Sequence, residues 1–186
     1  MLFRSKEKIS TSDIEFNVNK NLLSEEISDS TLGIIFSIPK NVERLEGKNL
    51  EAFHSQINNE IDPASGVKYS LQYIFFNDST RSLFSVINVT LLDSLIPKYD
   101  RQKVFNDFLI SSIDTNKTKT ATFTKDGIKI YQYLTQHNDI ISFKLTFLTS
   151  NYDLLQFDYI SRKENYPNEI KAIESSIGSI KLINKK

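Results

Sequence analysis

The sequence predicts an α+β fold in which one mainly antiparallel β-sheet carries helices on both faces. Three observations lead there. Residues 141–147 and 155–159 are apolar-alternating runs, and 128–134 is a third in which Gln132 interrupts the alternation; the polar turns Gln136-His137-Asn138-Asp139 and Ser150-Asn151 join them. Residues 67–76 and 83–92 are longer runs, apolar on both faces, which belong in a sheet covered on both sides. Three stretches with helical spacing stand at intervals that supply the covers.

Taken in order, residues 1–12 read as a charged arm and residues 13–184 as one domain. Ile14, Phe16 and Val18 alternate in a first short strand, 13–18. Residues 19–30 are polar and acidic and read as a turn or short helix over the surface. Leu32, Ile34, Phe36 and Ile38 make a strand stopped by Pro39, which cannot donate to a ladder. Leu50, Phe53, Ile57 and Ile61 share one helical face, with Asn49 as N-cap, and residues 62–66 turn the chain.

In the long strands, Val67, Tyr69, Leu71, Tyr73 and Phe75 share one face, opposite Ile74 and Phe76. After the turn 77–80, Leu83, Ser85, Ile87, Val89 and Leu91 share a face, with Phe84, Val86 and Leu92 on the other. Pro97 breaks the run. Val104, Phe105, Phe108, Leu109 and Ile113 then form the stripe of a helix over 99–116, capped by Asp100. Ala121 and Phe123 suggest a short strand before the Asp126-Gly127 turn. Phe143, Leu145, Phe147, Leu155, Phe157, Phe105, Phe108 and Ile173 are the expected core. Pro167 fits the first turn of a last helix with an Ile170, Ile173, Ile177, Ile180 seam, and Gly178 lies close enough to its end to break it.

Composition narrows the function classes. A chain of 186 residues buries about 70% of its unfolded surface on folding. Lys plus Arg and Asp plus Glu number 23 each, so no global field attracts nucleic acid or an anionic membrane. The absence of Cys excludes disulfides, thiolate chemistry and Cys-based zinc sites. No apolar run reaches the roughly 18–20 residues of a membrane span, and residues 1–9 lack a signal-peptide core. The expectation is an exported or lipid-anchored protein whose leader precedes this chain, with a cytoplasmic protein as the alternative.

Three segments carry a family resemblance: the strand-to-Pro run from Gly33 to Lys40, the helix and meander after Pro97, and the closing run from Ile173 to Ile180. Their order over residues 30–183 resembles the Mog1/PsbP-like α/β/α sandwich family. Family members usually place an aromatic, often Trp, shortly after the Pro, where this chain has Asn41-Val42-Glu43. The resemblance implies a binding or scaffolding domain without catalytic residues, and it transfers no site residue. An NTF2-like cone, the competing fold, expects long helices ahead of its sheet, which residues 1–48 do not offer.

Candidate chemistry reads as surface. His54 has Glu51 one turn earlier and His137 lies in a turn; a solvated helix residue and a turn residue are the expected roles. Without Cys or a His-Glu-x-x-His spacing they form no usual zinc cluster. Glu25, Glu26 and Asp29 lack the glycine and spacing of a calcium loop and read as a solvated face. Lys117, Lys119 and Lys125 are balanced by Asp114 and Asp126 rather than gathered into a nucleic-acid patch. Asn77, Asn88 and Asn116 head glycosylation triplets of a kind common in an Asn/Thr-rich chain. The expectation is therefore a non-enzymatic protein-interaction domain, with no cofactor, metal or nucleic acid. Its contacts fall on loops 19–31, 77–82 or 116–126. The alternative is a small ligand-binding protein or enzyme whose pocket is assembled from scattered polar residues.

Overall fold

Strict two-residue alternation along 141–147 and 155–159 puts large apolar side chains opposite one another once the strands pair. In the computed structural model, which describes residues 12–13, 16–47, 50–53, 55 and 66–183, Phe143 faces Tyr159, Leu145 faces Phe157 and Phe147 faces Leu155. The strands are β1 (Ser12–Asp13), β2 (Ile27–Asp29), β3 (Ile34–Phe36), β4 (Glu43–Arg44), β5 (Val67–Asn77), β6 (Ser82–Leu91), β7 (Thr118–Lys125), β8 (Ile128–His137), β9 (Ile140–Leu148), β10 (Leu154–Arg162) and β11 (Lys181–Leu182). Eight form one sheet in the order β1-β7-β8-β9-β10-β6-β5-β4; β11-β3-β2 form a second. Only the β1–β7 pairing is parallel among those described.

Each face of the large sheet has its own core. On one face, Phe84, Phe143, Leu145, Phe147 and Phe157 pack against Ile34 and Phe36 of the small sheet and against Ile173 and Ile177 of the C-terminal helix, Tyr166–Ser179. The Phe157 ring meets Phe36, Phe84 and Phe147 edge-on at centroid distances of 5.4, 5.6 and 5.3 Å, the geometry that aromatic quadrupoles favour. On the other face, Leu71, Ile74, Ile87 and Val89 pack against Phe105 and Leu109 of the mid-chain helix, Arg101–Ser112. Leu50 and Phe53, which are helical, join that side. The first two helical segments thus share one face, and the C-terminal helix with the small sheet covers the other. The fold is α+β, with helices on both faces of a mainly antiparallel sheet.

Several elements differ from the sequence reading. Residues 16–18 leave the sheet after β1, because Phe16 turns in to pack on Phe123 at 5.6 Å and on the C-terminal helix. Ser12, placed in the arm, already pairs with Phe123, while residues 1–11 lie outside the description. Within 19–30 the chain forms both a 3-10 turn and strand β2. The 121–123 strand is the full eight-residue β7.

β5 does not keep one face. A bulge between Leu71 and Tyr73 lets Leu71 face Ile87 while Tyr73 faces Val86, and the extra residue, Gln72, reverses the facing of the rest of the strand. Val67, Leu71 and Ile74 lie on the mid-chain-helix side, whereas Phe75 and the half-buried Tyr73 lie on the other. Leu92 lies past the end of β6 and is exposed.

The mid-chain helix is rotated from its predicted stripe. Gln102, Phe105, Asn106 and Leu109 are buried, Phe108 is half-buried, and Val104 is exposed. The reason is hydrogen bonding. Gln102 Nε2 donates to Lys129 O and Thr146 O, both at 2.9 Å. Asn106 Oδ1 accepts from the Tyr133 and Thr146 hydroxyls, both at 2.8 Å. The sheet meets the Gln102 amide nitrogen and the Asn106 carbonyl oxygen, which offsets their burial, while Asn106 Nδ2 has no hydrogen-bond partner. Asp100 occupies the N-cap position without a side-chain cap bond, and the helix ends at Ser112. Gly178 stands one residue before the end of the last helix, at Ser179.

Candidate functional site

Two of the polar loops singled out in the sequence converge. Asn21 and Leu22 from the first loop meet the β5–β6 hairpin, residues 77–82, across the segment 39–42. The fourth wall is the start of the C-terminal helix, where Pro167 stands in the first turn and needs no N–H partner. They enclose a cleft of about 350 Å³ whose floor includes Phe84, Tyr159 and Ile173.

The hairpin wall is held by its own amides. Asn77 Oδ1 accepts from the Ser79 and Thr80 N–H groups and from Ser79 Oγ. Arg81 takes a positive φ of 58° at the tip, with its guanidinium over the Phe76 ring at 5.0 Å. Asn165 Nδ2 donates to Thr80 O at 3.0 Å, tying the hairpin to the helix start. On the facing segment Asn41 has a positive φ of 63°, a conformation that Asn tolerates better than most residues.

Glu169 is the carboxylate of the cleft. Ser82 Oγ lies 2.7 and 2.8 Å from its two oxygens, and Ser161 Oγ donates to Oε2 at 2.5 Å. Thr80 Oγ1 in turn donates to Ser82 Oγ at 2.9 Å. This chain of hydroxyls satisfies the carboxylate from within the protein. Tyr159 is also committed: its hydroxyl and Ser176 Oγ lie 2.8 Å apart, and burial pushes its pKa up. The cleft therefore offers an apolar floor under a rim of neutral amides and hydroxyls, with the exposed Lys40 at one side.

The other predicted residues do not gather. His137 is exposed at the end of β8, Glu51 is exposed, and His54 lies outside the described residues. Glu25 and Glu26 are exposed, as expected of a solvated face. Asp29 is not: its Oδ1 accepts from the Thr31 and Leu32 amides, and its Oδ2 accepts from the Tyr73 hydroxyl at 2.7 Å. Lys117 pairs with Asp114 at 3.6 Å. Lys125 is buried and donates to Asp126 at 2.6 Å and to Ile180 O at 2.8 Å, fastening the β7–β8 turn to the end of the last helix. Asn77 has its side-chain oxygen in the hairpin turn, Asn88 sits half-buried within β6, and Asn116 is exposed. Among the described residues no three His, Asp or Glu side chains gather to hold a metal.

The solution structure of cyanobacterial PsbP (CyanoP) from Synechocystis sp. PCC 6803 is similar to this chain. The match covers 89% of this chain and 95% of that one, at 17% identity and a TM-score of 0.49. No family model and no curated protein matches the chain. Among the described residues no helix is long and apolar enough to cross a membrane.

Sequence reasoning missed Glu169, Ser82 and Ser161. A signal was present for two of them. Ser161 continues the inward Leu155, Phe157, Tyr159 alternation, and Glu169 stands four residues before Ile173 on the apolar seam of its helix. A polar residue at an inward position marks a place where other segments must supply partners.

Proposed function

We propose that this chain is a non-enzymatic protein-interaction or scaffolding domain that seats an uncharged stretch of a partner polypeptide in the cleft around residues 39–42, 77–82 and 168–173. The observation that supports the reading is the cleft's chemistry. An apolar floor of Phe84, Tyr159 and Ile173 suits an apolar side chain. The Asn21, Asn41 and Asn168 amides on its rim offer both donors and acceptors to a peptide backbone. Its carboxylate, Glu169, already accepts hydrogen bonds from the Ser82 and Ser161 hydroxyls.

A photo-crosslinking residue placed at Asn41 or Ser79, with Lys119 as a remote control, tests the proposal in an extract of the protein's source. Protein adducts of defined mass at the cleft positions, absent at Lys119 and suppressed by filling the cleft with Asn168→Trp, are expected. The volume, within the roughly 300–1,000 Å³ of small-molecule pockets, favours a ligand carrier as the second reading. A small molecule retained in native mass spectra and lost in Asn168→Trp, with no protein adducts, would replace the first reading with the second.

A further inference from the structure

β6 runs from Ser82 at the cleft to Leu91, about 30 Å away at roughly 3.3 Å per residue. A second surface of different character lies beyond that far end. There Leu95 is 87% exposed and Val104 of the mid-chain helix remains 38% exposed. The helix leaves this apolar surface outside because it turns Gln102 and Asn106 inward.

The turn that presents Leu95 is built. Leu95 N donates to Asp93 Oδ1 at 2.9 Å, Leu92 N donates to Gly66 O at 2.8 Å, and Asp100 N donates to Pro97 O at 2.9 Å. An Asp side chain bonding the amide two residues on is a local turn lock, so the backbone that carries Leu95 has less freedom to lose on binding. Between this turn and the helix is a depression of about 400 Å³ with apolar walls at Leu95, Ile96 and Val104. Three carboxylates, Asp93, Asp100 and Asp107, border it against one ammonium, Lys103. Asp100 and Asp107 form no ion pair with any other described residue.

We infer that this depression seats a basic amphipathic segment of a partner polypeptide, whose apolar face covers Leu95 and Val104 while its Lys or Arg side chains meet Asp100 and Asp107. Apolar anchors supply the affinity and the carboxylates set orientation and partner choice. With the cleft at the opposite end of β6, the domain then bridges two partners.

The probe is a fluorescent amphipathic peptide of Leu and Lys, compared by anisotropy with its Leu/Glu counterpart. The full chain should bind the Leu/Lys peptide, and Leu95→Ser and the double variant Asp100→Asn/Asp107→Asn should each weaken binding about tenfold. Neither variant removes a buried group or a capping bond, and circular dichroism checks that they fold. Asn168→Trp in the distant cleft should leave binding unchanged. Equal binding of both peptides, or undiminished binding by Leu95→Ser, overturns the inference. So does concentration-dependent self-association abolished by Leu95→Ser, which assigns the surface to a second copy, or flotation with neutral vesicles abolished by the same change, which assigns it to lipid.

Discussion

Gly178 has no side chain because Phe16 occupies the place where one would go: a Cβ at Gly178 would lie 2.5 Å from Phe16 Cβ and 2.7 Å from Val18 Cγ2. The chain after β1 crosses the last helix at this point. In an open helix, Gly→Ala gains roughly 0.5–1 kcal/mol. Here overpacking should win, and Gly178→Ala should lose about 1–3 kcal/mol. Urea melts of the single variant and of Gly178→Ala/Phe16→Ala give the sign and the coupling. A stabilised Gly178→Ala protein would show that the crossing is not close-packed.

The Asn106 carbonyl oxygen is shared by two buried hydroxyls, those of Tyr133 and Thr146. Asn106→Ala takes the acceptor from both and should cost about 1–3 kcal/mol for each hydroxyl left without a partner. Tyr133→Phe on the Asn106→Ala background should be less destabilising than Tyr133→Phe alone, since the hydroxyl it deletes has already lost its acceptor. Strict additivity in denaturant melts would count against a shared bond.

What was legible in the sequence, and what was not, divides along local and tertiary causes. β9 and β10 could be read because alternation is a property of each strand alone, and all five of their expected core residues are buried. The bulge at Gln72 could not, since the residues from Val67 to Phe75 alternate smoothly and only pairing with β6 reveals the extra residue. The rotation of the helix, which keeps Phe105 and Leu109 of the stripe inside but turns Val104 out, was hidden for the same reason. Gln102 and Asn106 count as outward by polarity, yet β8 and β9 hold their partners. At the cleft, the polar loops 19–31 and 77–82 could be marked individually, but their meeting with Glu169 depends on the three-dimensional arrangement.

Phe157 is fully buried and touches three other aromatic rings from three different strands. Phe157→Ala should cost about 3–5 kcal/mol, because the surrounding rings cannot collapse into the space. A loss below about 1 kcal/mol, smaller than any usual buried aromatic truncation, would mean that the two sheets do not pack face to face as described.

The bond between Asp29 and Tyr73 joins the small sheet to the large one and makes stability depend on pH at both extremes. Burial alone would raise the Asp29 pKa, but the Tyr73 hydroxyl and the Leu32 and Thr31 amides outweigh it and hold the carboxyl below 3.8. A carboxyl depressed on folding contributes stability above its unfolded pKa and loses it as pH falls through the folded value. Asp29→Asn should therefore remove part of the wild-type decline below pH 3.8. For Tyr73, burial first and then Asp29 push the pKa from 10.0 to about 12, against the pull of the Arg44 guanidinium 4.7 Å above its ring. Its contribution is complete below pH 10.0 and fades as pH rises through about 12. Tyr69 is also raised to about 12, by burial and by Asp158, so the alkaline decline is shared and the difference between wild type and Tyr73→Phe isolates this residue. Urea melts across both ranges should show wild type and Asp29→Asn converging at low pH, and wild type and Tyr73→Phe converging at high pH. Parallel curves at both ends would mean that the bond does not persist in solution.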